Sequence, residues 1–158
     1  MSSLPSKWLT VDPGEDTGWQ RWEGARPAAG GQTKGWEFVD QVAAWVRSGE
    51  LELLVIEDWA LYPWKVKDLA WDKCRTARII GALTFICRDE GIPVLFQPAS
   101  IKKTAQKAGA DHLYVTPLHE NRHQNDAIQH GIYYLATQGT DAASQPLLAD
   151  EGGGGEAS

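Results

Sequence analysis

The sequence of 158 residues predicts an α/β fold in which helices flank a mixed β-sheet. Two apolar runs, Trp8–Val11 and Leu53–Ile56, have the length and composition of buried strands. Other segments show apolar residues at helical spacing, most clearly residues 121–135. Strands that alternate with amphipathic helices are typical of a sheet covered by helices.

The amino-terminal part of the chain is expected to form a hairpin followed by a loop. The strand Trp8–Val11 runs into a tight turn at Pro13 and Gly14, and Thr17–Trp22 returns as the second strand. Gly24–Gly35 is rich in Gly, Ala and Pro, so we expect a loop there that replaces or shortens a third strand.

The rest of the chain is expected to alternate between helices and strands. Trp36–Val46 is amphipathic and predicts a helix, and the nearly continuous apolar run Leu53–Ile56 predicts a strand buried on both faces. A long helix, Val66–Glu90, follows it. Ile92–Phe96 has the pattern of a last strand, and Pro98–Lys107 opens another helix before the final one.

Each of the two apolar runs ends in a carboxylate. Asp12 leaves the first strand directly into the Pro-Gly turn, which suits a metal ligand; an Asp that bonds its own backbone in an ordinary turn is the alternative. Glu57 and Asp58 end the central strand, where packing gives no reason for charge, although both also suit a simple exit into solvent. Which of the two points inward depends on the register of the strand.

The final helix, Asn121–Leu135, carries two further candidate ligands. His123 and Asp126 are three residues apart, so they lie on one helical face, one turn apart, and can close on a shared cation with the strand-borne carboxylates. The alternative is an exposed polar first turn in which Asp126 favours the amino end of the helix. His130 could join the site, although such a residue is more often at the surface or hydrogen-bonded in the core.

Taken in order, these segments resemble the ribonuclease H-like nucleases, in particular the RuvC-type Holliday junction resolvases and their phage-borne relatives. The family has an Asp in a D-x-G turn after its first strand, a Glu that ends a central strand, and ligands three apart at the start of a late helix. The matching positions here are Asp12 with Gly14, Glu57 in VIED, and His123 with Asp126 in HQNDA. The resemblance extends from residue 9 to about residue 135 and implies a ribonuclease H-like fold.

The resemblance implies hydrolysis of phosphodiester bonds with two divalent ions about 4 Å apart. Asp12, Glu57 and Asp126 offer the hard oxygen ligands that Mg²⁺ prefers, and the imidazole of His123 also admits Mn²⁺. Many relatives carry Asp at the position of His123 and others carry His, so this residue departs from the commoner pattern. It either binds metal or moves a proton.

Aromatic and basic residues beyond the central strand suit a nucleic-acid partner, because rings stack on unpaired bases while cations hold phosphates. By position, Trp59 or Tyr62 matches the aromatic wedge of RuvC-like enzymes; the alternative is that these rings anchor the loop to the core. Lys102 matches a lysine that such resolvases place near the scissile phosphate, and Lys103 competes for that role. The predicted DNA-binding residues are Trp59, Tyr62, Trp64, Lys65, Lys67, Arg75, Lys102 and Lys103.

The charge distribution is uneven. The whole chain has 15 Lys and Arg against 21 Asp and Glu, which by itself argues against a nucleic-acid partner. Between residues 61 and 107, however, nine basic residues accompany four acidic ones. Such a cluster can neutralise phosphates, so branched DNA remains the expected partner, with an ordinary solvated helix face as the alternative.

Composition places the chain among compact intracellular proteins. With 42% apolar residues it can bury one core, expected within 7–138, between a disordered segment 1–6 and a disordered acidic, Gly-rich tail 139–158. No signal peptide is visible and no apolar run approaches the ~20 residues of a membrane span, so we expect a cytoplasmic protein, in the host cell if a phage encodes it. Cys74 and Cys87 fit reduced thiols, and the long helix implies, by resemblance, a homodimer.

Three other functions remain compatible with parts of the pattern. Nucleases that process structured RNA share the fold and the motifs, so RNA is the nearest rival substrate. A catalytically inert nucleic-acid-binding module is a second reading. An actin-like ATPase also has a D-x-G phosphate loop, but it needs two such domains and this chain has room for one.

Overall fold

The computed structural model describes residues 3–59 and 71–138 of the chain. These residues form a mixed sheet with helices on both faces. The strands are β1 Lys7–Asp12, β2 Asp16–Glu23, β3 Arg26–Lys34, β4 Leu53–Glu57 and β5 Val94–Gln97. The helices are α1 Gly35–Arg47, α2 Trp71–Asp89, α3 Lys102–Lys107 and α4 Arg122–Thr137, with short 3₁₀ turns at Ala99–Ile101 and Ala110–Leu113.

The order of strands in the sheet is β3-β2-β1-β4-β5. β2 pairs antiparallel with both β1 and β3, whereas β4 lies parallel to β1 and to β5, so the predicted mixed sheet is confirmed. Val11 pairs with Ile56 across the parallel β1–β4 ladder. The next residues, Asp12 and Glu57, therefore emerge side by side at the same edge of the sheet.

The two faces of the sheet bury different residues of the same strands. Leu9 and Val11 pack with α1 and α2 in one hydrophobic cluster, while Trp8 and Val55 pack in a second cluster that includes Ile128 of α4. Because side chains alternate along a strand, Asp12 and Glu57 share the parity of Trp8 and Val55. Both carboxylates therefore lie on the α4 face.

The predicted loop at Gly24–Gly35 is wrong, because most of this segment is the edge strand β3. It pairs with β2 along its length, with one irregularity between Arg21 and Trp22. The strand is mostly exposed and lacks the alternation of apolar residues that identifies strands in a sequence. Its glycines serve close packing: a Cβ on Gly30 would lie 2.3 Å from the side chain of Gln124 in α4.

The predicted helices match the structure over the residues it describes. Trp36–Val46 corresponds to α1, and the final helix corresponds to α4. The predicted helix Val66–Glu90 corresponds to α2, with residues 66–70 outside the described part. Pro98–Lys107 divides into a 3₁₀ turn and the short helix α3.

Two further features concern the helices and the cysteines. No helix within residues 3–59 and 71–138 is both long and apolar enough to cross a bilayer. Cys74 and Cys87 are free, and burial raises the pKa of the Cys87 thiol to about 12. Cys87 is therefore a packing residue of α2 and a poor nucleophile.

Gly18 of β2 sets how closely α4 approaches the sheet. A Cβ at this position would lie 1.9 Å from the backbone oxygen of His123, so Gly18→Ala must push α4 away from β2. We expect the free energy of unfolding, measured with urea, to fall by about 1–3 kcal/mol.

The matched control is Gly81→Ala in α2, where an added Cβ meets nothing within 4 Å. This change should leave the protein equally stable or more stable by up to about 1 kcal/mol, because Gly is a poor helix former. Equal urea midpoints for the two variants would contradict the close packing of α4 on β2.

Candidate active site

Five residues predicted from the sequence meet at one edge of the sheet. Asp12 ends β1, Glu57 ends β4, and His123 and Asp126 lie in the first turns of α4. His123 Nδ1 lies 2.9 Å from Asp12 Oδ2. The ammonium of Lys102, at the start of α3, lies 3.0 Å from Asp126 Oδ2 and 3.8 Å from Glu57 Oε2.

Helix α4 is fixed on the sheet by buried hydrogen bonds beneath these residues. Thr10, two residues before Asp12 on the same face of β1, donates through Oγ1 to the backbone oxygen of Ala127 at 2.7 Å. Trp22 Nε1 donates in turn to Thr10 Oγ1 at 3.0 Å. This chain of bonds sets the distance between Asp12 and the helix that carries its partner His123.

Gln32 of β3 holds the amino end of α4, where no side chain of the helix itself forms a cap. Its Oε1 accepts hydrogen bonds from the backbone nitrogens of His123, at 2.8 Å, and Gln124, at 3.3 Å. These are two of the amide groups that a helix leaves without an internal partner. Sequence analysis does not predict this role, because Gln32 lies in the segment expected to be a loop.

His130 is a further member of the site, which the sequence named only as an option. Its ring is completely buried, Nε2 donates to Glu57 Oε2 at 2.9 Å, and Nδ1 lies 2.8 Å from Gln97 Oε1. Gln97 is the residue opposite Glu57 in the β4–β5 ladder. His130 therefore ties the Glu57 carboxylate both to α4 and to β5.

Asp12 and His123 each affect the pKa of the other. Burial raises the pKa of the Asp12 carboxyl, the hydrogen bond with His123 opposes this, and the nearby charges of Glu57 and Asp126 raise it further. The same hydrogen bond with Asp12 raises the pKa of the His123 imidazole, against a smaller effect of burial. The negative charge of ionised Asp12 is thus only partly offset by the groups around it.

The charges of Glu57 and Lys102 are better offset by their neighbours than the charge of Asp12. Burial alone would raise the pKa of Glu57, but the hydrogen bond and charge of His130 and the charge of Lys102 lower it. Burial alone would lower the pKa of the Lys102 ammonium, but its hydrogen bond to Asp126 and the charge of Glu57 raise it. Both groups are therefore ionised at neutral pH.

The donor set fits a divalent cation in its chemistry. Three carboxylates and one imidazole are hard or borderline ligands suited to Mg²⁺ or Mn²⁺. Within the described residues, no group of three or more His, Cys, Asp or Glu side chains has the arrangement of a metal site. Asp12, Glu57 and Asp126 instead each direct one oxygen to a cationic or imidazole partner, which is His123, His130 and Lys102 respectively. The Lys102 ammonium occupies the place of a cation between two of the carboxylates.

The structure describes only part of the predicted DNA-binding set. Trp59 follows Glu57 by two residues and is half-buried, and Lys103 is exposed beside Lys102. Arg75 is exposed on α2, 3.6 Å from Glu15. The other predicted residues, Tyr62, Trp64, Lys65 and Lys67, lie outside the described part of the chain.

No protein family and no curated protein matches the chain by sequence. The fold is similar to that of RuvC from Thermus thermophilus in complex with a Holliday junction substrate, with a TM-score of 0.63 at 16% identity over 90% of this chain and 100% of that chain. A second structure of RuvC from the same organism matches with a TM-score of 0.56 at 18% identity, over 89% of this chain and 99% of that chain. These similarities confirm the predicted ribonuclease H-like fold.

We expect His130→Ala to destabilise the protein, because it leaves the buried Glu57 carboxylate and the Gln97 amide without their shared partner. The cost of two such unpaired groups is about 3 kcal/mol, read as a fall in the free energy of unfolding.

His119→Ala is the matched control, because His119 is exposed in the segment before α4 and should change stability by less than about 0.5 kcal/mol. If the two alanine variants unfold at the same urea concentration, His130 does not support Glu57.

Asp12→Asn should stabilise the protein at pH 7 in metal-free buffer. The folded-state pKa of Asp12 is raised, so its ionisation lowers stability as pH rises from the unfolded-chain pKa, about 4, through the folded-state pKa. Below about pH 4 this cost is absent. Urea unfolding of wild type and variant from pH 4 to 7 measures the difference, which should grow with pH.

Asp16→Asn provides a control of opposite sign. The hydrogen bond from Lys34 lowers the pKa of Asp16, so this exposed carboxylate stabilises the protein at neutral pH and the benefit is lost as pH falls through its folded-state pKa. The prediction for Asp12→Asn fails if wild type is the more stable protein at pH 7. That result would show that neighbouring groups offset the charge of Asp12 fully without metal.

Proposed function

We propose that the chain is a metal-dependent endonuclease that cleaves phosphodiester bonds in branched DNA and resolves Holliday junctions. One observation carries the proposal: three carboxylates and an imidazole, borne on β1, β4 and α4, meet at one edge of a sheet whose fold is similar to that of RuvC. Since a fold alone does not define a function, the argument depends on these side chains.

Asp12, Glu57, His123 and Asp126 are the residues that would hold two Mg²⁺ or Mn²⁺ ions. Such ions, when bound, supply a nucleophilic water at neutral pH and stabilise charge on the leaving 3′ oxygen. The surrounding side chains orient the ligands, as His130 does for Glu57, and such partners are often needed for tight metal binding.

Lys102 acts beside the metal ligands. In the free protein its ammonium neutralises Asp126 and Glu57. From this position the ammonium would hold an oxygen of the scissile phosphate, beside the carboxylates that would hold the ions. Lys103 on α3 and Arg75 on α2 are exposed and would bind phosphates away from the site.

The proposal extends to the assembly and setting of the enzyme. A homodimer suits a four-way junction, because two symmetric strands must be cut. The nuclease domain would comprise residues 7–138, and the protein would act in the cytoplasm, that of the host cell if a phage encodes it.

The deciding experiment is cleavage of a labelled, immobile four-way DNA junction, beside a linear duplex and a structured RNA, with Mg²⁺ or Mn²⁺. Wild type should cut the junction by symmetric nicks, and Asp12→Asn should cut nothing, because a metal ligand is lost. Asp16→Asn, in the exposed ion pair with Lys34, should cut as wild type does.

Two outcomes would replace the proposal. Cleavage of the RNA alone would identify an RNA-processing nuclease on the same fold. If no substrate is cut, and neither Mg²⁺ nor Mn²⁺ raises the melting temperature, the chain is a binding module without catalysis.

A further inference from the structure

An open cleft of about 440 Å³ lies beside the turn that follows Asp12, on the other face of the sheet from the carboxylates. Its walls are the turn residue Gly14, the start of α1 and three residues of α2, the exposed Arg75 and Arg78 and the buried Ile79. Ile79 belongs to the hydrophobic cluster of the α1–α2 face, whereas Asp12 shares the α4 face. The turn thus separates the cleft from the carboxylates.

The walls of the cleft are held in place by backbone contacts. Gly35, the first residue of α1, donates its backbone N–H to the carbonyl oxygen of Glu15 at 2.9 Å. Thr17 Oγ1 donates to the carbonyl oxygen of Gly14, also at 2.9 Å. A Cβ on Gly35 would lie 2.8 Å from the carbonyl oxygen of Gly14, so the turn and α1 are in close contact.

The cleft offers one exposed aromatic ring. Trp36 of α1 is 57% exposed, whereas Trp8, Trp19 and Trp22 are buried at 9% or less. Among the described residues, Trp36 takes part in no ring pair, while Trp19 stacks with Phe38. Its indole face is therefore available to a ligand at the cleft.

Charged side chains of both signs line the cleft. Its lining includes the three cations Lys34, Arg75 and Arg78, against the carboxylates of Glu15 and Glu37. Asp16 pairs with Lys34 and Glu15 pairs with Arg75, so the charges of these two cations are already offset.

Arg78 is the cation most available to a ligand. Lys34 and Arg75 form ion pairs with Asp16 and Glu15, whereas Arg78 has no ion pair with any described residue. An exposed ring beside an available guanidinium suits a ligand that has a flat apolar part and a phosphate, which is the chemistry of a nucleotide.

We propose that this cleft binds one unpaired nucleotide of the DNA substrate, with its base on Trp36 and its phosphate at Arg78 and Arg75. The inference rests on the proposed function, since it assumes that DNA lies at Asp12. The two residues from Asp12 to Gly14 span at most about 7 Å, so a strand at the carboxylates reaches the cleft within very few nucleotides. A cleft of this volume suits a single nucleotide and not a duplex.

The first test measures binding of a fluorescein-labelled oligothymidylate to the full chain in EDTA, by anisotropy. Trp36→Ala should weaken binding about tenfold, the loss of one base–aromatic stack, and Trp36→Phe should restore most of it. An abasic strand of equal length should bind wild type and Trp36→Ala equally, because it has no base to stack. Phe85→Ala is the control, since Phe85 is 69% exposed on the far part of α2.

The second test addresses the phosphate. Arg78→Gln should weaken binding of the normal and the abasic strand alike and should lower the slope of log affinity against log salt by about one. Arg88→Gln, an exposed position two to three turns further along the same helix, should leave that slope unchanged.

The inference is overturned if wild type does not bind the oligonucleotide, if Trp36→Ala binds it as tightly as wild type, or if the loss persists on the abasic strand. If wild type cleaves the junction but Trp36→Ala has no effect on binding, nucleotide binding in the cleft is rejected and the proposed nuclease stands. If the junction is not cleaved but binding depends on Trp36, the nuclease is rejected and nucleotide binding in the cleft stands.

Discussion

The close approach of α4 to the sheet is the constraint on which the candidate site depends. This helix carries His123, Asp126 and His130, and its position is set by the missing Cβ of Gly18 and by the hydrogen bond from Thr10 to the helix backbone. A helix that stood farther from β2 would separate His123 from Asp12 and His130 from Glu57. The small residue on β2 is thus as much a part of the site as the carboxylates, although it has no side chain to contribute.

Gathering carboxylates at this edge has an electrostatic cost. Asp12 and Glu57 are each about one-sixth exposed or less, and buried like charges disfavour ionisation. His130 and Lys102 offset the charge of Glu57, whereas Asp12 keeps a raised pKa despite its hydrogen bond to His123. The ionised Asp12 carboxylate therefore lowers the stability of the folded chain. Sites that bind cations or substrates do tolerate it, because the ligand provides the missing compensation.

The parts of the fold that the sequence predicts are those encoded locally. The hairpin, the buried strand β4 and the positions of Asp12 and Glu57 follow from short apolar runs that end in a turn or a charge, and the pairing of His123 with Asp126 follows from helical spacing. β3 was missed because its Gly- and Ala-rich residues alternate in no apolar pattern and are held by backbone bonds to β2. The role of His130 was open because its partner Glu57 is 73 residues away, and nothing near His130 in the sequence indicates that contact.

If the proposed nuclease and the proposed cleft both act on one substrate, the turn after Asp12 would let this fold select branched DNA. The carboxylates lie on the α4 face of the sheet, and the cleft with Trp36 lies on the α1–α2 face, with the short turn between them. In an intact duplex every base is stacked and paired, so none is available to the indole while a phosphate of the same strand lies at the carboxylates. At a branch point a base next to the scissile phosphate can leave its stack at small cost. Selection for branches would then follow from the distance between two sites, without recognition of any base sequence.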